Sequence, residues 1–151
     1  MDKNKFNGVA KTIKKPFSRS TTVGISIKSS PEDVWEVLND ISAYSKWNST
    51  IISIEGSIFE NSRIRLKSTL DPKRFFSLKV KDVVPNVEMV WKGNMGKREF
   101  YLEEYSGKTL FRMTETIGGP LFSLFSRMIP PFDESFEAFA SDLKNHVELL
   151  K

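Results

Sequence analysis

The charged residues best placed to act on a ligand lie on strands that are otherwise apolar. If Ser106-Gly107 are the central residues of a hairpin turn, Arg98 lies opposite Glu115 on one face of the sheet. A turn at residues 93–96 places Trp91 beside Arg98 on the same face. An inward-facing carboxylate must be paired, hydrogen-bonded or neutral, and Arg98 is the partner that this register supplies. The pattern therefore predicts a polar row of Trp91, Arg98 and Glu115 across three neighbouring strands.

This polar row has three interpretations. It could fix the polar head of an apolar ligand, with Trp91 stacking on the guanidinium or on the ligand. It could instead be a cross-strand ion pair that only fixes the register. Glu115 is also the single candidate for catalysis, as a general acid or base beside an Arg98 that stabilises an enolate.

The other residues predicted to line a ligand are apolar and come from both the sheet and the helices. Those on the strands are Phe76, Leu78, Met89, Phe100 and Met113. Those on helical segments are Trp47, Phe122, Phe136, Phe139 and Leu143. Side chains of these types also form ordinary cores, so the same list describes a filled interior.

Three of the helical positions have alternative roles. Trp47 either borders an entrance or closes the core. Phe122 lies between Gly118-Gly119 and Pro130-Pro131, and this segment is either a mobile gate or a packed turn. His146 flanks the apolar stripe of the last helix, where it either protonates near a cavity or is a half-buried helix residue.

Hydrophobic periodicity gives the elements that must position these residues. Alternation over residues 21–28 predicts a strand, and Ser30 as N-cap with Pro31 at the first helical position predicts a helix to about residue 40. A second short helix is expected at residues 42–47. Further strands are expected at 50–55, 63–70, 75–84, 87–92, 97–105 and 108–117, followed by helices at 120–128 and 133–150. The order predicts an α+β fold in which an antiparallel sheet of seven strands curves around the long C-terminal helix.

Composition excludes several kinds of chemistry. The chain has 151 residues, which suits one domain, and it contains no Cys and a single His. Thiolate nucleophiles, Cys-ligated zinc and two-His metal sites are therefore excluded, and no metal or cofactor is expected. No apolar run exceeds three residues, so neither a signal peptide nor a membrane span is expected, and the predicted location is the cytoplasm.

Charge is concentrated at the N-terminus. Residues 1–31 hold seven Lys or Arg and one Asp, whereas the other 120 residues hold 16 basic and 18 acidic ones. We expect residues 1–20 to be a basic, flexible arm and residues 21–151 to be a single ligand-binding domain. Residues 3–19 could make weak contact with anionic membranes, and no nucleic-acid binding is expected.

Several short motifs, in order, resemble the START-like (SRPBCC) helix-grip superfamily, and specifically its polyketide cyclase/dehydrase-like branch. They are Ser30-Pro31-Glu32-Asp33-Val34-Trp35, Asp40 with Tyr44 and Trp47-Asn48, Ile54-Glu55-Gly56, Trp91-Lys92-Gly93, Phe100 with Leu102-Glu103, Gly107-Lys108-Thr109, and Glu115 followed by Gly118-Gly119-Pro120-Leu121. The resemblance covers about residues 20–150. It implies a hydrophobic cavity between sheet and helix. Arg98 stands where many relatives have His, so His-dependent chemistry is not implied here.

The function expected from the residues and the resemblance together is binding, transport or sequestration of a hydrophobic small molecule such as a lipid, polyketide or quinone. One alternative is a cyclase, dehydratase or hydrolase that acts on an apolar substrate in the same cavity. Another is a peripheral membrane lipid-transfer module that uses the basic N-terminal arm.

Overall fold

A hairpin of two strands opens the part of the chain that the computed structural model describes, residues 6–150. The strands are β1 (Lys11–Lys15), β2 (Ser18–Ile27), β3 (Ile51–Gly56), β4 (Arg63–Ser68), β5 (Asp71–Val84), β6 (Glu88–Lys92), β7 (Gly96–Tyr105) and β8 (Lys108–Gly118). They form one antiparallel sheet in the order β1-β2-β8-β7-β6-β5-β4-β3. The helices are α1 (Pro31–Asn39), α2 (Tyr44–Trp47), α3 (Phe122–Phe125) and α4 (Asp133–Leu149), with 3₁₀ turns at Ile41–Ala43 and Ser126–Met128.

The predicted α+β fold is confirmed, but the sheet has eight strands and not seven. The additional strand is β1, which lies inside the segment expected to be a flexible arm and pairs with β2 from Lys11↔Thr22 to Lys15↔Ser18. The expected domain boundary at residue 21 is therefore too late, since β2 begins at Ser18. β1 gave no signal in the sequence because its side chains are mostly exposed and its backbone pairing holds it. Residues 1–5 of the predicted arm lie outside the described residues.

The first helix begins as the sequence predicts. The Ser30 hydroxyl accepts a hydrogen bond of 3.2 Å from the backbone N–H of Asp33, and Pro31 occupies the first turn. Val34 and Leu38 are buried on its inner face. Removing such a cap typically costs about 1 kcal/mol, so this short helix depends on it.

The predicted register of the central strands is confirmed. Phe100 pairs with Met113, Arg98 pairs with Glu115, and Trp91 pairs with Arg98. Next to the β5–β6 turn the pairing differs from the predicted register by one residue, because Val84 pairs with Glu88 and not with Val87. An irregularity between Lys81 and Val84 shifts the pairing back, so Val80 pairs with Trp91 as predicted. Asp82 has a φ of 54°, which marks this irregularity.

The long helix α4 spans one face of the sheet and is held at its C-terminal end by polar contacts to β2. Lys144 Nζ donates to the Ser26 carbonyl (2.9 Å) and to Glu148 Oε2 (2.7 Å). The backbone N–H of Lys28 donates to the same carboxylate oxygen at 2.9 Å. Burial raises the pKa of Glu148, but these hydrogen bonds and the charge of Lys144 outweigh it, so the pKa lies below its usual value.

Candidate functional site

The predicted ion pair is formed and lies between the sheet and α4. Arg98 Nε donates to Glu115 Oε1 at 2.7 Å, and the two side chains are 14% and 20% exposed. The guanidinium lies over two rings of α4, with its Cζ atom 5.0 Å from the centre of Phe136 and 5.8 Å from that of Phe139. β7 and β8 thus supply the charges, and the helix supplies an aromatic cover for the cation.

Trp91 completes the predicted row and introduces an unpaired donor. The residue is fully buried, and its ring centre lies 4.6 Å from that of Phe100. Within residues 6–150, its buried indole nitrogen Nε1 has no hydrogen-bond partner. Leaving a buried donor unpaired costs about 1–3 kcal/mol, so a ligand that offers an acceptor to this N–H would recover part of that free energy. Since Trp91 is the cross-strand neighbour of Arg98, the interior has donors from two adjacent strands.

Tyr44 belongs to this environment and was missed as a site residue. Its hydroxyl donates to the Leu38 carbonyl at 2.6 Å. Burial raises the pKa of Tyr44, while the positive charge of Arg98 opposes that shift. The available signal was the spacing of Tyr44 and Trp47 on α2, whose rings lie 4.8 Å apart.

Trp47 is part of the buried core. It is 8% exposed, and its ring centre lies 5.7 Å from that of Phe139 in an edge-on arrangement. His146 stacks on the outer side of Trp47 at 6.1 Å and is half-buried on α4. The helix-residue interpretation of His146 therefore fits its position better than a role in a cavity.

The inward face divides into a filled part and a less covered part. Around α4, the fully buried side chains contact each other closely, since the ring centre of Phe139 lies 6.2 Å from Phe100 and 6.3 Å from Phe111. Other predicted lining residues that are buried in this filled part are Met89, Met113, Phe136 and Leu143. On β5, in contrast, Phe76 and Leu78 are only half-buried, and Leu78 packs against the core. The part of the inward face on β5 is thus less covered than the part beneath α4.

Phe122 lies apart from the polar row. It is 4% exposed and makes an edge-on contact with Phe125 at 6.0 Å, as the packed-turn interpretation requires. The helix here is much shorter than the predicted 120–128, because α3 ends at Phe125 and a 3₁₀ turn follows.

Arg19 lies inside the segment expected to be a flexible arm, but its side chain is buried and holds the loop before α4. Its side chain is 8% exposed and donates to the carbonyls of Ile129 (3.2 Å) and Pro130 (2.8 Å). The guanidinium also lies 4.8 Å from the ring centre of Phe132. Burial lowers its pKa, and the charges of Asp133 and Glu115 oppose that effect. Arg19 thus ties the loop before α4 to β2.

Comparisons with known proteins agree on the architecture. No family model matches the chain, and no curated protein matches it. A START superfamily protein from Mycobacterium smegmatis superimposes with a TM-score of 0.64 at 18% identity, covering 87% of this chain and 99% of the other. The chain has a START-like helix-grip fold.

Two further structures have the START-like fold in common with this chain. The Aha1 dimer from Colwellia psychrerythraea gives a TM-score of 0.66 at 23% identity, covering 87% of this chain and 98% of that one. DynU16, from the dynemicin biosynthetic locus, gives 0.66 at 16% identity, covering 87% of this chain and 48% of DynU16. At these identities the similarity shows the START-like fold alone. Within residues 6–150, no helix is long and apolar enough to cross a membrane.

Proposed function

We propose that this protein binds an apolar small molecule that carries a hydrogen-bond acceptor, between the START-like sheet and α4. The observation that carries the proposal is the unpaired, buried Nε1 of Trp91 beside the Arg98–Glu115 pair, on a face that is otherwise apolar. The hydrogen bond to Glu115 uses one of the five N–H donors of the guanidinium. The guanidinium therefore keeps donors for a ligand, and Trp91, its cross-strand neighbour, adds the indole N–H.

The rest of the interior sets the chemistry of the ligand body. Phe100, Phe136 and Met113 surround the polar row with aromatic and thioether groups and are themselves almost completely buried. Such surfaces favour flat or elongated apolar molecules, because removing apolar area from water contributes about 25 cal/mol per Å². A quinone or an aromatic polyketide has both the apolar body and the carbonyl oxygen that the donors require.

We expect the ligand to enter from β5, where Phe76 and Leu78 are only half-buried. The rings of Phe136 and Phe139 cover the guanidinium, so binding is expected to displace them. Rearrangement of aromatic rings has a free-energy cost, which an acceptor for the unpaired indole N–H would partly offset.

A matched pair of probes tests the proposal directly. Menadione and 2-methylnaphthalene share one skeleton and differ by the two carbonyl oxygens of the quinone. Tryptophan fluorescence, corrected for absorption by the probe, should give a menadione affinity about tenfold or more higher, as expected for a hydrogen bond to a charged donor. Arg98→Met should remove most of that difference.

The control for this substitution is Arg65→Met. Arg65 Nη1 binds Glu55 Oε1 at 2.8 Å on β3 and β4, but these side chains are 55% and 59% exposed. This variant should keep the tenfold preference for menadione.

Native mass spectrometry of the freshly purified protein should show a bound apolar compound. If neither probe binds at millimolar concentration and no compound copurifies, the proposed function is wrong.

A further inference from the structure

Three separate segments meet at one end of the START-like sheet. They are residues 14–19 at the β1–β2 turn, residues 92–97 at the β6–β7 turn, and residues 118–131, which contain α3. Backbone hydrogen bonds join them, because Gly119 N donates to the Phe17 carbonyl (3.1 Å) and Gly118 N donates to the Met95 carbonyl (3.0 Å). We call this surface the basic apolar pole.

The pole exposes large apolar side chains from all three segments. Leu124 and Met128 are 79% and 82% exposed on α3 and the turn after it. The other exposed apolar side chains of the pole are Phe17, Met95 and Leu121. Single exposed apolar residues are ordinary, but a group that converges from three segments marks a contact surface.

The charge of the pole has one sign. Its three segments contain Lys14, Lys15, Arg19, Lys92, Lys97 and Arg127, and they contain no Asp or Glu. Arg19 is buried beneath the pole, whereas the other five are exposed. A solvent-accessible recess of about 310 Å³ in the same surface is flanked by Lys92 and Lys97. Exposed apolar groups surrounded by cations fit an anionic bilayer, where the apolar groups enter the acyl boundary and the cations meet lipid phosphates.

We infer that this protein docks on anionic membranes through the basic apolar pole. This inference goes beyond the proposed ligand binding. It also relocates the membrane contact expected for residues 3–19, because only the turn at residues 14–19 belongs to the surface and α3 supplies its most exposed apolar side chains. Arg19 holds the loop that follows α3 through its bonds to Ile129 and Pro130, so the apolar side chains are presented on an anchored segment.

Sedimentation with vesicles tests the inference on the full chain. We expect binding to vesicles of phosphatidylcholine with 30% phosphatidylglycerol in about 50 mM salt, and loss of binding to pure phosphatidylcholine or in about 0.5 M salt. Leu124→Ser with Met128→Ser should reduce the partition coefficient at least about tenfold, since each side chain loses apolar burial. Lys15→Glu should reduce it at least about fivefold, the effect expected for one basic residue near a charged membrane.

Matched controls come from the opposite end of the molecule. Leu149 and Leu150 are 82% and 66% exposed at the end of α4, so Leu149→Ser with Leu150→Ser removes similar apolar area. Lys108→Glu makes the same charge change at the β7–β8 turn. Both controls should leave sedimentation unchanged.

Each remaining outcome contradicts the inference. If the wild-type chain does not bind the anionic vesicles, or if the controls reduce binding as strongly as the pole variants, the pole is not a membrane-docking surface. Light scattering in solution tells whether the pole instead forms a contact between two copies of the chain. If a dimer of the wild type becomes a monomer in the Leu124/Met128 variant and no variant changes sedimentation, the pole is an interface between copies.

Discussion

Removing Arg98 should destabilise the protein far more than removing Arg65, although both residues form cross-strand pairs with Glu at 2.7 and 2.8 Å. Arg98→Met leaves the carboxylate of Glu115 against apolar groups with only 20% of its side chain exposed. It also removes the cation over Phe136 and Phe139. Breaking a fully buried pair costs about 3–5 kcal/mol and breaking an exposed pair at most about 1 kcal/mol, so breaking this largely but not fully buried pair should cost about 2–3 kcal/mol.

The measurement is urea unfolding followed by tryptophan fluorescence, with thermal unfolding as a second probe. For a chain of this length, a loss of 2–3 kcal/mol corresponds to a fall in Tm of about 4–12 °C. Arg65→Met should lower the free energy of unfolding by less than about 1 kcal/mol. The double variant Arg98→Met with Glu115→Met should recover most of the loss, because no unpaired charge remains. Equal losses of stability in Arg98→Met and Arg65→Met would refute the reasoning about burial.

Three other predictions concern residues around the site. Glu148→Gln should destabilise the protein at pH 7, and this loss should shrink as the pH is lowered below 4.5. A lowered pKa stabilises the fold above the usual value of 4.5, and the contribution disappears as the carboxylate of the folded protein protonates; urea unfolding at pH 7 and at a series of lower pH values measures it. Phe139→Ala should lower the free energy of unfolding by about 3–5 kcal/mol, and a loss under about 1 kcal/mol would show that the space around this ring is not filled. Arg19→Gln should speed proteolytic cleavage within residues 119–131 while Lys14→Gln does not, since only the first substitution removes the hydrogen bonds to that loop.

The polar row could be predicted because short turns fix the register of long strands. Ser106-Gly107 adopts positive φ values of 51° and 76°, so the turn residues themselves determine that Arg98 meets Glu115. The β5–β6 register was correct for a less direct reason, because the longer turn and the irregularity at Asp82 displace the pairing in opposite directions.

Other features had no local signal. Arg19 binds carbonyl groups that are 110 and 111 residues away in the sequence. Every residue has a backbone carbonyl, so the sequence does not indicate which ones act as acceptors. The sequence could also predict which side chains of β7 and α4 face each other, but not how completely they fill the space between them. That depends on the distance between the layers, which places the rings of Phe100 and Phe139 6.2 Å apart.

The short strand β1 has a consequence for how the chain can be shortened. β2 pairs with β8 along ten residues, and β1 covers part of its other side with a sequence rich in Lys. Unprotected strands invite pairing with a second molecule, and lysines on a covering strand discourage it. A truncated protein that starts at residue 21 would lose this cover and part of β2 together. Its expected behaviour is self-association through the bared backbone of β2, even though every residue of the polar row is retained.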